Sequence, residues 1–436
     1  MSARPAKKPA AKAPAKKPAA DAGVELPEGE QLPKRELTCE LPSVQPPEGW
    51  QAPVFTRPLN VAVPCTGIDG CGHALQVLGI TDARFSMVHD VEGRYERYLQ
   101  DHLPADTLVH AGKAGDITAL ARSMDKVQRP VDVLVSGPPC PPWSLQGKRQ
   151  STLDARSWVL IAVIKLAVML IMVGELSAMV IENVVGISQK LPGQHEPFMQ
   201  VLLRVLRAEV AQFSWGFHCL SAVDYGLPQQ RTRVFLVGIR SGYGGVPQPL
   251  GPFGRRTLRE FLAPGLPPVD VSKLTASLKK NLADAWRALR KLAAEGSTAS
   301  VVCWPLDRSE GMTYPRKFFF DVAPTLTTAN TRLFVASMDD LHMGPQQRAF
   351  WRFLRCEERM ALQGFPPNTL QGESDALRTK ASGNAYPVPL MMAVLGPLLR
   401  AMSEKQELLH DGPCRPWQEA SWHIIENSWS LFWTRV

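Results

Sequence analysis

The run VDVLVSG (131–137) passes directly into PPCPPWS (138–144), and this junction constrains the fold more than any other stretch of the chain. An unbroken apolar run of this length reads as a strand buried on both faces, the kind found in parallel sheets covered by helices. The prolines stop the strand, because each lacks an N–H and holds φ near −65°. Cys140 is therefore expected on a restrained backbone just past a strand's carboxyl end, where open α/β sheets bind their ligands.

Four further segments read as strands: LNVAVP (59–64), RFSMVH (84–89), SAMVIENV (177–184) and RVFLVGI (233–239). Helical patterns lie between them, so the expected fold is α/β with a mostly parallel sheet. CTGIDGCGHALQVLG (65–79) reads as a Gly-rich turn opening a helix, and it lacks the GxGxxG dinucleotide fingerprint. WVLIAVIKLAVMLIMV (158–173) is too short for a bilayer span and is interrupted by Lys165, so a helix buried against the sheet is expected and no membrane role. Beyond residue 240 the texture turns Pro- and Gly-rich. Residues 241–300 carry nine Lys/Arg against four Asp/Glu and include a helical stretch at 274–296. Regular helix is expected again at 347–364, then a Gly-Asn turn at 383–384 and a proline-begun helix from PVPLMMAVLGPLLRAM.

The eight cysteines are scattered, with no CxxC pair and no zinc-finger spacing, so free thiols in a reducing compartment and no metal are expected. The first twenty residues hold six basic residues and no acid, and lack the apolar core of a signal peptide. Without them the formal net charge drops from +8 to about +2. A cationic disordered arm suited to phosphate attraction is expected there, although a solubility or localisation arm has the same composition.

The candidate chemistry lies at the strand ends. Cys140 offers a soft nucleophile. Glu182, in IENV, ends a second strand of the same sheet, where a carboxyl group can reach the thiol's neighbourhood. Arg231 and Arg233, in PQQRTR, alternate and so face one side, suited to a base edge or a nearby phosphate. Gly67 and Gly70 permit close approach of a ligand at the first turn. Asp90 or Glu92, after the second strand, is where a ribose diol is expected, and Asp116 is placed to accept from an adenine amino group.

Taken in order, CTGIDG (65–70), GDI (115–117), GPPCPPWS (137–144), IENV (181–184), PQQRTR (228–233), APTLTT (323–328), RFLRCEERMALQGFP (352–366) and GNAYPVP (383–389) resemble the cytosine-C5 DNA methyltransferase family. The resemblance implies a Rossmann-like class I methyltransferase fold with a smaller inserted target-recognition domain. The implied division is a basic arm and Pro-rich connector (1–58), a first catalytic part (59–240), the recognition domain (241–345), a returning catalytic part (346–402) and a C-terminal extension (403–436). It implies S-adenosylmethionine as methyl donor, no metal, and double-stranded DNA as partner, with a monomer expected. The reaction implied is attack of Cys140 on C6 of a flipped cytosine, with Glu182 at N3 and Arg233, together with Arg231, positioning the base.

The implied donor pocket comprises Cys65, Gly67, Ile68, Gly70, Asp90, Asp116, Ile117, Pro138, Asn384 and Ala385. DNA contacts are implied at Ser144 and Gln229, with 145–157 as a mobile loop closing over the base. The chain departs from the family pattern at Cys65 (usually Phe), Asp69 (usually Gly), Pro141 (usually Gln) and Arg355 (usually Thr). A transfer-RNA methyltransferase of the same fold and a catalytically weak DNA-binding relative are the alternatives. The location expected is the nucleus in a eukaryote or the cytoplasm in a bacterium.

Overall fold

In the computed structural model, residues 40–410 are described, apart from 145–153, 155, 191–194, 313, 329–331, 345–346 and 349. The basic arm, most of the connector's first half, most of the closing loop and the tryptophan-rich end lie outside the described residues.

The first half alternates strand and helix: β1 (Leu59–Pro64), α1 (Gly70–Val77), β2 (Ala83–Asp90), α2 (Glu96–His102), β3 (Val109–Ala111), α3 (Ile117–Leu120), β4 (Val133–Ser136), α4 (Ser157–Met172) and β5 (Ala178–Val184). Next come α5 (Phe198–Glu209), β6 (Phe213–Ser221), β7 (Gln229–Gln230) and β8 (Thr232–Arg240). Seven strands form one sheet in the order β3-β2-β1-β4-β5-β8-β6. All neighbours are parallel except β8, which runs antiparallel to both β5 and β6. The order reverses between β1 and β4, and this switch point opens the crevice in which such sheets bind ligands.

The five strands read from sequence are all present. β3 and β6 carried too little signal. β3 has three residues, and β6 is a sheet-edge strand with three of its nine residues buried. The apolar run at 158–173 is α4, which buries twelve of its sixteen residues in the main core beside Trp143, Phe198 and Trp215. Among the described residues no single helix is long and apolar enough to cross a membrane.

The second half contains α6 (Ala276–Ala294), β9 (Val301–Pro305), β10 (Phe319–Phe320), β11 (Ala323–Pro324), β12 (Leu333–Ser337), β13 (Arg352–Phe353), α7 (Cys356–Ala361), α8 (Asp375–Asn384) and α9 (Val388–Ser403). A four-stranded sheet, β10-β9-β12-β13, packs against α6 around its own core of Leu278, Leu282, Leu289, Trp304, Phe334 and Trp351. α6 turns its apolar side into this core and leaves Lys279, Lys280, Arg287, Arg290 and Lys291 exposed. The stretch before it stays with the large sheet: Leu250 donates its N–H to Ala393 and Phe253 to Asp224.

Two expectations of local structure are corrected. Helix was expected across 347–364, but among the described residues the α-helix there covers Cys356–Ala361, because Arg352–Phe353 pairs with β12. Gly383-Asn384 is not a turn; it closes α8, and Ala385 caps that helix. Gly383 is needed for packing, since a Cβ there would lie 2.5 Å from the backbone of Thr327 and Thr328. The proline-begun helix is α9, with Pro387 as its cap.

Candidate active site

β4 ends at Ser136, and the backbone then runs through Gly137, Pro138 and Pro139 to Cys140. The Cys140 carbonyl accepts the N–H groups of Trp143 at 3.0 Å and Ser144 at 3.1 Å, which closes a tight turn around Pro141 and Pro142. Trp143 is fully buried under this turn, 5.3 Å from the ring of Phe198. On the sheet side the Ser136 hydroxyl donates to the Pro64 carbonyl at 2.6 Å. The Asn183 amide donates to the Pro138 carbonyl at 3.4 Å. The sulfur is thus carried on a backbone held from three directions, which limits the reorganisation a reaction requires.

Glu182 and Arg233 reach the same place from β5 and β8. In the antiparallel register Arg233 lies opposite Val184, so Glu182, two residues back, shares its face and sits diagonally across. Arg233 Nε lies 2.7 Å from Glu182 Oε1, and both side chains are about nine-tenths buried. Glu182 Oε1 is nonetheless without a hydrogen bond of acceptable angle. The contact is therefore a close ion pair held mainly by charge. Burial pushes the Cys140 thiol above its usual value; Arg233 opposes the rise, Glu182 adds to it and Arg231 opposes it. The Cys140 sulfur thus lies within the electrostatic reach of Glu182, Arg233 and Arg231.

Arg231 does something different from the expectation of a base or phosphate contact. Its side chain is 2% exposed and donates to the carbonyls of Leu326 at 2.8 Å and Ala385 at 2.6 Å. Burial brings its guanidinium down to about 9, with Arg233 adding to the fall. Arg231 ties the returning segment to the sheet and reaches Cys140 only through its field.

Gln229 is corrected outright as a DNA contact. It is fully buried in the short β7–β11 ladder, where its amide donates to Leu362 at 2.8 Å and its oxygen accepts the Leu326 N–H at 3.1 Å. A side chain with no exposed surface and its donor and acceptor used internally cannot touch a duplex. Ser144 is half-exposed at the edge of the closing segment.

The expected donor residues divide by exposure. Cys65, Gly67, Asp90, Asp116 and Asn384 keep exposed surface, whereas Ile68, Gly70, Ile117, Pro138 and Ala385 are buried. The Ile117 side chain packs in the main core with Leu120. Gly67 has φ +59°, and its missing side chain would meet nothing within 4 Å, so the turn is open there. Asp90 accepts the Gly67 N–H at 2.8 Å and the Glu92 N–H at 2.8 Å, and burial raises its pKa. Glu92 is occupied by Arg94 at 2.7 Å and Lys380 at 2.8 Å, which hold it at about 2. Of the two acids, Asp90 is the one at the turn. Asp116 caps α3 and accepts from Thr118 N–H and hydroxyl at 2.9 and 2.7 Å. An open glycine turn beside a backbone-held carboxylate fits a ligand bearing hydroxyl groups.

One departure in the first turn, Asp69, has a structural explanation. Asp69 occupies the left-handed region, φ +56°, that a glycine would take freely, and its carboxylate caps α1 through the Gly72 N–H at 2.9 Å. That cap offsets the backbone cost, both being on the order of 1 kcal/mol. Sequence reading missed what lies behind it. His102 Nε2 is 3.6 Å from Asp69, His73 stacks on His102 at 4.2 Å, and His73 Nε2 is 3.0 Å from the Tyr98 hydroxyl. Burial drives Asp69 up to about 7 and lowers His102, so both favour their neutral forms. Tyr386 was also missed: it is buried between Gly70 and Gly137. No local signal marks these contacts, since each joins positions far apart in the chain.

The profile of the C-5 cytosine-specific DNA methylase family matches residues 65–400. The chain belongs to this family. Among its relatives, the Type II methyltransferase M.NaeI of Lentzea aerocolonigenes is 26% identical over 359 residues, 79% of this chain and 75% of that protein. M.HgiBI of Herpetosiphon aurantiacus is 30% identical over 154 residues, 35% of this chain, and the match spans only 31% of that relative's length. A solved structure of a putative DNA modification methyltransferase from an Escherichia coli prophage superposes with a TM-score of 0.50 at 15% identity. The superposition covers 79% of this chain and 99% of that one. With the observed strand order, these matches establish a class I methyltransferase fold for this member of the family.

Proposed function

We propose that the chain transfers a methyl group from S-adenosylmethionine to carbon-5 of cytosine in duplex DNA. The observation that carries this reading is the convergence of Cys140, Glu182 and Arg233 at adjoining strand ends beside the crevice. Carbon-5 of cytosine is a weak nucleophile. The Cys140 thiol gives its proton to solvent and the sulfur adds to C6; the C5–C6 π electrons make C5 the nucleophilic end of an enamine, and the Glu182 carboxyl, donating to N3, stabilises the charge gained there. Arg233 orients that carboxyl and holds it in place. The donor, when bound, supplies an electrophilic methyl on a sulfonium that departs as a neutral thioether. Transfer of the C5 proton to a water molecule then restores the C5–C6 double bond and expels the Cys140 thiolate.

The ring must leave the stack to reach a half-buried thiol, so base flipping belongs to the same proposal. Asp90 and the Gly67 turn would hold the donor's ribose side, with Asp116 at its adenine end. The second, smaller core with its exposed basic side of α6 is proposed as the part that meets the duplex, since clustered Lys and Arg supply sequence-independent phosphate attraction.

The test is tritium transfer from labelled S-adenosylmethionine to unmethylated duplex, hemimethylated duplex and transfer RNA, using wild type and Cys140→Ser. Labelled DNA that disappears with Cys140→Ser is expected. Labelling of transfer RNA alone, or DNA labelling that survives in Cys140→Ser, would overturn the reading.

A further inference from the structure

Tyr386 joins the two halves of the crevice. It is 4% exposed and precedes Pro387, the cap of α9. One edge of its ring faces the start of α1: a Cβ on Gly70 would lie 2.6 Å from Cε2 and 2.9 Å from Cδ2. The opposite edge faces the end of β4: a Cβ on Gly137 would lie 2.9 Å from Cδ1 and 3.0 Å from Cε1. Real Cβ contacts are longer than this, so both glycines are places where the backbone closes directly onto the ring. Gly70 begins the helix capped by Asp69, and Gly137 leads through two prolines to Cys140. From below, the Ala385 carbonyl, one residue before Tyr386, is held by Arg231 at 2.6 Å.

The ring is the part that matters. The Tyr386 hydroxyl has no exposed surface and lies beside the Cys71 backbone in the first turn of α1, so no ligand in the crevice reaches it in this arrangement.

We propose that Tyr386 is a positioning residue whose ring sets the separation between the donor turn at Gly70 and the strand end that carries Cys140. The proposal rests on the reading of these two places as donor and target sites. Methyl transfer is the only step that needs both sites in register. Addition of Cys140 to C6, with Glu182 at N3, needs the target site alone. Without a donor, that addition makes C5 protonatable, so C5 hydrogen exchanges with water. Exchange and transfer therefore report on the two situations separately.

The experiment uses the full chain as wild type, Tyr386→Phe, Tyr386→Leu and Tyr386→Ala. Four quantities are measured: thermal midpoint, equilibrium binding of S-adenosylmethionine, donor-free release of tritium from C5-labelled cytosine in duplex DNA, and single-turnover methyl transfer. Tyr386→Phe is expected to stay within about 3-fold of wild type in donor binding, exchange and transfer. Tyr386→Ala is expected to lose about 100-fold in transfer, the scale of an ångström-sized misplacement, with donor binding and exchange within about 5-fold. Tyr386→Leu keeps much of the volume and gives the same comparison should the alanine variant not fold.

Equal losses of exchange and transfer, or transfer unchanged in both small variants, would overturn the proposal. A large loss in Tyr386→Phe would also overturn it, by moving the role to the hydroxyl. A wild type that neither exchanges nor transfers would instead overturn the assigned reaction, and this proposal with it.

Discussion

Arg233 Nε and Glu182 Oε1 approach to 2.7 Å across β8 and β5, yet Oε1 makes no aligned hydrogen bond. The pair is oriented and buried at the strand ends. Replacing Glu182 by Gln keeps the shape and removes the acid. Glu182→Gln is expected to lower single-turnover methyl transfer by about 10²–10⁴-fold, the usual range for a positioned acid or base. Duplex affinity, read by anisotropy, should change by only a few-fold. Transfer within 10-fold of wild type would remove Glu182 from the chemistry.

Arg231 is a structural tie rather than a surface cation. Its donors meet the carbonyls of Leu326 and Ala385, and its removal strands both inside the protein. Arg231→Met is expected to cost about 3 kcal/mol of stability. In chemical denaturation the midpoint should fall well below that of Arg233→Met. Equal midpoints for the two variants would contradict the assignment.

The His73–His102 stack makes stability depend on pH. Burial, with His102 adding to it, lowers His73 to about 3 from 6.5. A depressed folded-state pKa means the contribution is complete above the unfolded value and is lost as pH falls from about 6.5 towards 3. By pH 5 the loss is about 2 kcal/mol. His73→Phe keeps a stacked ring and removes the titration, so its thermal midpoint should decline less than wild type between pH 7 and pH 5. Parallel declines would show that His73 contributes nothing to the acid limb.

Arg348 is held between two tryptophans of the second core, 3.3 Å from the Trp286 ring centre and 4.5 Å from that of Trp351. Burial lowers its guanidinium to about 10, with Arg290 adding to the fall. Such stacking contributes about 1–2 kcal/mol when partly desolvated. Arg348→Ala is expected to lower stability by that amount and to red-shift tryptophan emission as Trp286 gains water. An unchanged spectrum and midpoint would show the stacking is incidental.

Much of the fold was legible in the sequence. The five apolar strand runs, the buried α4 and the proline-begun α9 were all read from it, because apolar periodicity and proline's fixed φ act over a few residues. β3 and β6 were not legible: one is three residues long and the other lies half-buried at the sheet's edge. α8 was mistaken for a turn because Gly383 signals a break locally. Its need for glycine comes instead from Thr327 and Thr328, more than fifty residues away.

The site divides in the same way. By itself the sequence determined that Cys140 would stand on a stiff backbone at a strand end, and that a carboxylate and arginines would end or begin neighbouring strands. Those properties follow from residue type and local spacing. Tertiary structure decided that Arg233 turns to Glu182 while Arg231 turns to carbonyls, that Gln229 is sealed inside, and that Tyr386 separates Gly70 from Gly137. Each of these depends on which distant backbone atoms arrive beside a side chain, and burial then leaves each polar group only the partners that packing has brought to it.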